Sequence, residues 1–113
     1  MSDSGRAAED RALALLQGAG LTLVERNARA PRGEIDLVMS DAGTLVFVEV
    51  RYRQDPTHGS ALESIGPRKR SRLIHAASAY IHRYRIDRPC RFDVVAIDGD
   101  AEPQWVPGAF DAS

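Results

Sequence analysis

A single cysteine, Cys90, among 113 residues excludes an internal disulfide and a thiolate metal cluster. Its expected role is that of a small core filler. No long apolar run and no charged-then-apolar leader is present, so neither a membrane span nor a secretory signal is expected, and the cytoplasm is the default location. A serine triad, a glycine-rich phosphate loop, a zinc motif, internal repeats and low-complexity blocks are missing as well. Net charge is almost absent, at −1, and lysine nearly so: of 15 basic residues only Lys69 is not arginine. With 43% apolar residues the chain is expected to form one domain around one core.

The charge that is present is unevenly placed. From Arg51 to Arg91 ten basic residues stand against Asp55, Glu63 and Asp87, whereas only acids follow Ile97. That basic middle, with Arg53, Arg68, Lys69, Arg70 and Arg72, fits either phosphate contacts or a solvated helix face. The periodicity predicts a helix from Ser4, as cap, to about Ala19, with Ala8, Ala12, Leu13, Leu15 and Leu16 on its apolar side. A strand at about Leu21–Ala28 follows, then a turn at Pro31-Arg32-Gly33 and two strands around Asp41-Ala42-Gly43. Gln54–Gly66 reads as a loop. Pro67 opens a second helix to about Arg85, with the stripe Leu73, Ala77, Tyr80 and Tyr84. Arg91–Ile97 is the last predicted strand, parallel to the third through a right-handed crossover. The expectation is an α/β domain over 1–98, a mixed central sheet flanked by helices in the order α-β-β-β-α-β. An irregular acidic tail, 99–113, is anchored at most by Trp105.

The chemistry gathers at the hairpin. A two-residue loop at Ala42-Gly43 pairs Asp41 with Thr44 and, counting back, Val38 with Phe47, Asp36 with Glu49 and Glu34 with Arg51. One face, Ile35, Leu37 and Met39 against Val46, Val48 and Val50, is wholly apolar and belongs under a helix. The other turns acidic. Directly opposed side chains in an antiparallel pair have Cβ atoms roughly 4.5–5.5 Å apart, so Asp36 and Glu49 need a cation or a shared proton between them. Glu9, four residues before Leu13, either points at the sheet or complements the dipole of its helix. Lys69, four before Leu73, either meets a carboxylate or phosphate or snorkels to solvent. Carboxylates on two strands and a helix suit Mg²⁺ or Mn²⁺, and hence phosphodiester hydrolysis; a surface acid pair balanced by Arg51 and Arg53 is the other reading.

The remaining polar residues carry less. His58, in the loop, is either a phosphate neighbour or simply solvated. His75 and His82 lie two turns apart on the outer face of the second helix, too far apart to chelate one ion readily. Asp93, on the last strand, reads as a structural partner for an arginine rather than a group supporting a metal site.

Gly33-Glu34-Ile35-Asp36-Leu37, Phe47-Val48-Glu49-Val50-Arg51-Tyr52-Arg53, Lys69 and Arg91-Phe92-Asp93-Val94-Val95 together resemble the bacterial YraN family over about Gly5 to Asp98. That family is regarded as distantly similar to archaeal Holliday junction resolvases within the PD-(D/E)xK nuclease superfamily. The resemblance implies a restriction-endonuclease-like core, with Asp36 and Glu49 as the two motif acids and Glu9 as the helical acid that assists metal binding. It departs from the superfamily pattern at Arg51, where the motif lysine usually stands. Arginine holds a phosphate bidentately but stays protonated and cannot act as a general base. Either the metal alone activates water with Arg51 in support, or Lys69 supplies the ammonium from the helix, or the domain binds nucleic acid without cutting it. The expected partner is nucleic acid, DNA before RNA, with branched DNA among the candidates. Resolvase-like nucleases commonly work as dimers, so a homodimer is a second expected partner. The competing reading is an inert nucleic-acid-binding or adaptor domain using Arg68, Lys69, Arg70 and Arg72 on the backbone; a structural protein-interaction role is a third.

Overall fold

The loop Ala42-Gly43 closes the hairpin around which the sheet is built, both residues having left-handed backbone, with φ of 50° and 93°. Such a loop has the handedness that matches strand twist. Glycine adopts it freely, whereas Ala42 pays for its Cβ. Ala42→Asn is therefore expected to stabilise the protein by about 0.5–1 kcal/mol. A higher urea midpoint would register this; an unchanged or lower one would contradict the strained turn.

The computed structural model describes residues 3–55, 57 and 59–111, for residues 3 and 4 the backbone only. His58 lies outside the described residues. The elements are α1 (Asp3–Gly18), β1 (Thr22–Ala30), β2 (Gly33–Asp41), β3 (Thr44–Arg53), a 3₁₀ turn at Leu62–Ser64, α2 (Pro67–Arg83), β4 (Cys90–Asp98) and β5 (Gln104–Phe110). The helix bounds include Ser4, so the expected cap sits inside α1. Strands lie in the order β1-β2-β3-β4-β5. All neighbours are antiparallel except β3 and β4, which run parallel, Phe47 beside Phe92 and Glu49 beside Val94. The α/β class and the mixed sheet agree with the expectation from sequence.

Each helix covers one sheet face. Ala8, Ala12 and Leu16 of α1 pack on Leu37, Met39, Val46, Val48, Val95 and Ile97. Leu73, Ala76, Ala77 and Tyr80 of α2 cover Val38, Leu45, Phe47 and Phe92. Phe47 sits at the centre of the second layer, its ring 5.7 Å from both Tyr80, edge-on, and Phe92. Alanines at 8 and 12 on one helical face let α1 sit close to the strands, which brings the next residue, Glu9, within reach of them.

Three expectations are corrected. Gln104–Phe110, expected within an irregular tail, is a fifth strand on β4; Pro107 and Gly108 hide it in the sequence, because proline and glycine break strand patterns. Ile35, expected with Leu37 and Met39, packs in the α2 layer with Ala28 and Val38, beside Asn27, whose φ of 51° interrupts the pleat. Cys90 is exposed rather than a core filler, since it opens β4 at the sheet margin, its Sγ 3.4 Å from the Arg88 carbonyl.

Candidate metal centre

Regular pairing of β2 with β3 runs from Asp41 and Thr44 to Leu37 and Val48 and stops there. The register is the one read from the turn, but Asp36 and Glu49 do not form a ladder pair. Instead Asp36 Oδ2 accepts the Val50 backbone N–H at 2.8 Å, and the strands part around it. The expected pairing of Glu34 with Arg51 is likewise not made. Glu34 lies opposite Arg29 of β1, and Arg51 Nε donates to Ser64 Oγ at 2.9 Å. Strand twist beyond the last paired residues explains both.

The gap becomes a cleft of about 260 Å³ lined by Gly33, Glu34, Asp36, Glu49, Lys69, Arg72 and Leu73. From the α1 side Glu9 enters the same acidic group. Carboxylate oxygens of Glu9, Glu34 and Asp36 all lie within 4.8 Å of one another. Glu9 is only 3% exposed, so of its two readings the inward one holds. Asn27 Nδ2 donates to both Glu9 oxygens at 3.2 Å and to Glu34 Oε1 at 3.3 Å, and Arg26 reaches Glu9 at 3.4 Å and Asp10 at 2.9 Å. Of the two readings of Lys69, the carboxylate neighbour is present: its Nζ stands 3.6 Å from Glu49 Oε1.

This crowding raises proton affinity. Burial, then the charge of Glu49, pushes Asp36 up to about 8 against the donated Val50 N–H. Burial also raises Glu49, opposed by the positive charges of Lys69 and Arg51. A positive charge close to the two carboxyls would favour their charged forms. The donor set fits Mg²⁺ or Mn²⁺: oxygen ligands only, from α1 and β2, beside a cleft with room for the several waters these ions keep.

Of the residues named from sequence, the fold brings Glu9, Asp36, Glu49, Lys69 and Arg72 to one place. Arg51 lies on the same strand face as Glu49 but is turned to Ser64. Arg53 ends β3, with its Nε buried and without a hydrogen-bond partner. Arg68 and Arg70 are exposed on the first turn of α2, where Arg68, Arg72, Arg32 and His75 border a neighbouring cleft. His75 and His82 are exposed, as expected. Asn27 and Arg26 were missed from sequence. An asparagine within a strand-like run was the available signal, because asparagine tolerates left-handed backbone and so marks an irregularity. The sequence points to Glu9, Asp36 and Glu49 as the metal ligands, whereas the carboxylates that meet within 4.8 Å are those of Glu9, Glu34 and Asp36.

Comparison with known proteins finds relatives that match almost the whole chain. The model of the Uncharacterised protein family UPF0102 matches residues 8–97. A UPF0102 protein of Herminiimonas arsenicoxydans is 52% identical over 108 residues, 96% of this chain and 86% of the relative. One of Shewanella loihica is 52% identical over 106 residues, 94% and 92% of the two chains. One of Paracidovorax citrulli is 55% identical over 113 residues, 96% and 83%.

Proposed function

This chain belongs to the family UPF0102, the YraN family that its motifs resemble, and on that premise we propose that it is a metal-dependent, nuclease-like protein that hydrolyses phosphodiesters in DNA. The observation that carries the reading is the meeting of the Glu9, Glu34 and Asp36 carboxylates beside a cleft whose lining adds Glu49, Lys69 and Arg72. Glu9, Glu34 and Asp36 would hold Mg²⁺ or Mn²⁺, with Glu49 at the cleft wall. A bound cation there would polarise the phosphate, lower the pKa of a water and offset transition-state charge.

The protein groups have separate tasks. Lys69 tempers the charge of Glu49 and presents an ammonium to a phosphate oxygen. Arg72, beside Gly33, supplies a second cation on the same rim, and a planar guanidinium fits a phosphate bidentately. Asn27 and Arg26 position Glu9. Arg51, tied to Ser64, acts through its charge on Glu49, so Lys69 is the ammonium of the site. On this reading the sheet with α1 and α2 is a PD-(D/E)xK core in which the usual lysine of β3 is replaced by one from α2.

A second reading, an inert nucleic-acid-binding domain, draws on the same Arg51, since a protonated guanidinium bonded to Ser64 cannot take a proton from water. One assay separates the two. Purified protein is incubated with supercoiled plasmid and a four-way DNA junction in Mn²⁺, Mg²⁺ or chelator, beside Asp36→Asn. Cutting that needs the metal and vanishes in the variant is expected. Salt-sensitive binding without cutting in any condition, unchanged by Asp36→Asn, would move the assignment to the inert domain.

A further inference from the structure

Tyr84 is an aromatic side chain left in solvent. Helical spacing places it beneath α2 with Leu73, Ala77 and Tyr80, yet those three are buried and Tyr84 is 47% exposed. Its ring centroid lies 4.6 Å from that of Tyr80 with the planes at 50°. The Arg83 guanidinium carbon stands 5.2 Å from its centroid. Both tyrosines and Arg83 face Glu25, Asn27 and Arg29 of β1 across a cleft of about 460 Å³. That volume falls within the ~300–1,000 Å³ of small-ligand sites.

Asn27 connects this cleft to the carboxylates. It lines the tyrosine cleft while its Nδ2 is bonded to Glu9 and Glu34. A strand with a phosphate at the acids can therefore run along β1 to the tyrosines, Tyr84 standing about 18 Å beyond Arg72 by helix rise, a few nucleotides further on. The exposed ring of Tyr84, backed at a tilt by the buried Tyr80 and flanked by the Arg83 guanidinium, presents one aromatic surface beside a second cation, Arg29. A nucleobase matches that chemistry, through its π face and the adjoining backbone charge.

We propose that the cleft between β1 and the end of α2 receives an unpaired nucleobase of the strand whose phosphate lies at the carboxylates. The inference rests on the nuclease-like reading and gives its substrate class: DNA with unstacked bases, as in a single strand or at a branch point, in preference to uninterrupted duplex. In a duplex each base face is already covered by its neighbours, so Tyr84 has nothing to stack on. Where the strands part, a base turns out of the stack at lower cost.

The test is anisotropy binding, with and without Mg²⁺, to a single-stranded oligonucleotide, the same strand carrying abasic sites, and a blunt duplex. The wild-type protein is expected to bind the intact strand more tightly than the abasic one. Tyr84→Ala is expected to weaken binding to the intact strand by about 5- to 100-fold while leaving the abasic strand and the duplex unchanged, and Tyr84→Phe to restore it. Tyr84 lies at the surface, so the variants keep the fold, which their unfolding midpoints verify. Equal wild-type affinity for intact and abasic strands, or a loss in Tyr84→Ala that is uniform across probes, overturns the base pocket alone. Failure of the wild-type protein to bind any of the three overturns the nuclease-like reading and the base pocket with it.

Discussion

Asp36→Asn is expected to stabilise the metal-free protein by a few kcal/mol at pH 8 while destroying its response to divalent cations. The folded state holds a proton on Asp36 up to about pH 8, because burial and Glu49 disfavour the carboxylate. An unfolded chain releases that proton near the ordinary aspartate value, about 4. Between the two values the folded state binds more protons than the unfolded state, so stability falls as pH rises through the window. Each pH step of one across that window removes about 1.4 kcal/mol, and the whole interval sums to a few kcal/mol after the sharing of repulsion with Glu49 is allowed for. Asparagine keeps an oxygen for the Val50 N–H and removes the charge. Urea titrations in chelator at pH 5 and pH 8 measure this: the wild type should lose stability between them and the variant much less. Saturating Mn²⁺ should restore the wild type, by about 2.7 kcal/mol at a hundredfold excess over Kd, and leave the variant unmoved. Parallel pH curves for the two proteins would mean that Asp36 carries no trapped proton.

The same balance explains which parts of the molecule can be read from its sequence. Local patterns declare themselves: the Asp41-Ala42-Gly43 turn fixes the pairing of Val38 with Phe47, and alternation assigns Leu37, Met39, Val46 and Val48 to one face. The sequence β3-α2-β4 implies the parallel pair by handedness rules alone. The stripe positions of Glu9 and Lys69 single both out, but an inward and a solvent-facing direction fit the sequence alike, and only the fold turns them to the other charges. What escaped is irregular backbone, where side chains replace ladder hydrogen bonds. Asp36 takes the Val50 N–H, Asn27 adopts φ of 51°, and the regular ladder ends before the acids meet. Functional geometry is concentrated at such departures because a ligand-binding carboxylate must be held where a continuous sheet would bury or splay it. Arg51 shows the reverse limit. Its position in the motif was plain, but only the fold directs it to Ser64 and leaves Lys69 beside Glu49.

Asp93→Ala is expected to cost about 3–5 kcal/mol, because it removes one partner of a buried ionic and hydrogen-bonded group. The carboxylate is fully buried on β4. It accepts Arg91 Nε at 3.0 Å, Trp105 Nε1 at 3.0 Å and the Gly108 backbone N–H at 2.9 Å. Pairing of β4 with β5 shifts register between Phe92 and Val94, and Pro107 has no N–H to offer, so Asp93 itself joins the two strands across the irregularity. Arg91 also reaches Asp41 at 2.9 Å, which ties β4 to the turn of the β2–β3 hairpin. Alanine at 93 leaves the indole N–H and the Gly108 N–H unsatisfied and Arg91 with Asp41 alone. With β5 loosened, the edge of β4 is open to pairing with another chain, so self-association should accompany the loss of stability. Asp93→Asn keeps an acceptor and should cost less, on the order of 1–2 kcal/mol. The lone Trp105 makes emission a direct reporter: in Asp93→Ala it should shift red at urea concentrations where the wild-type spectrum is unchanged. Asp93 shares a strand face with Val95 and Ile97 under α1, whereas Glu49 faces α2, so divalent-ion affinity should be preserved in the fraction that remains folded. Loss of ion binding without loss of stability would instead make Asp93 a group that supports the carboxylate centre through β3.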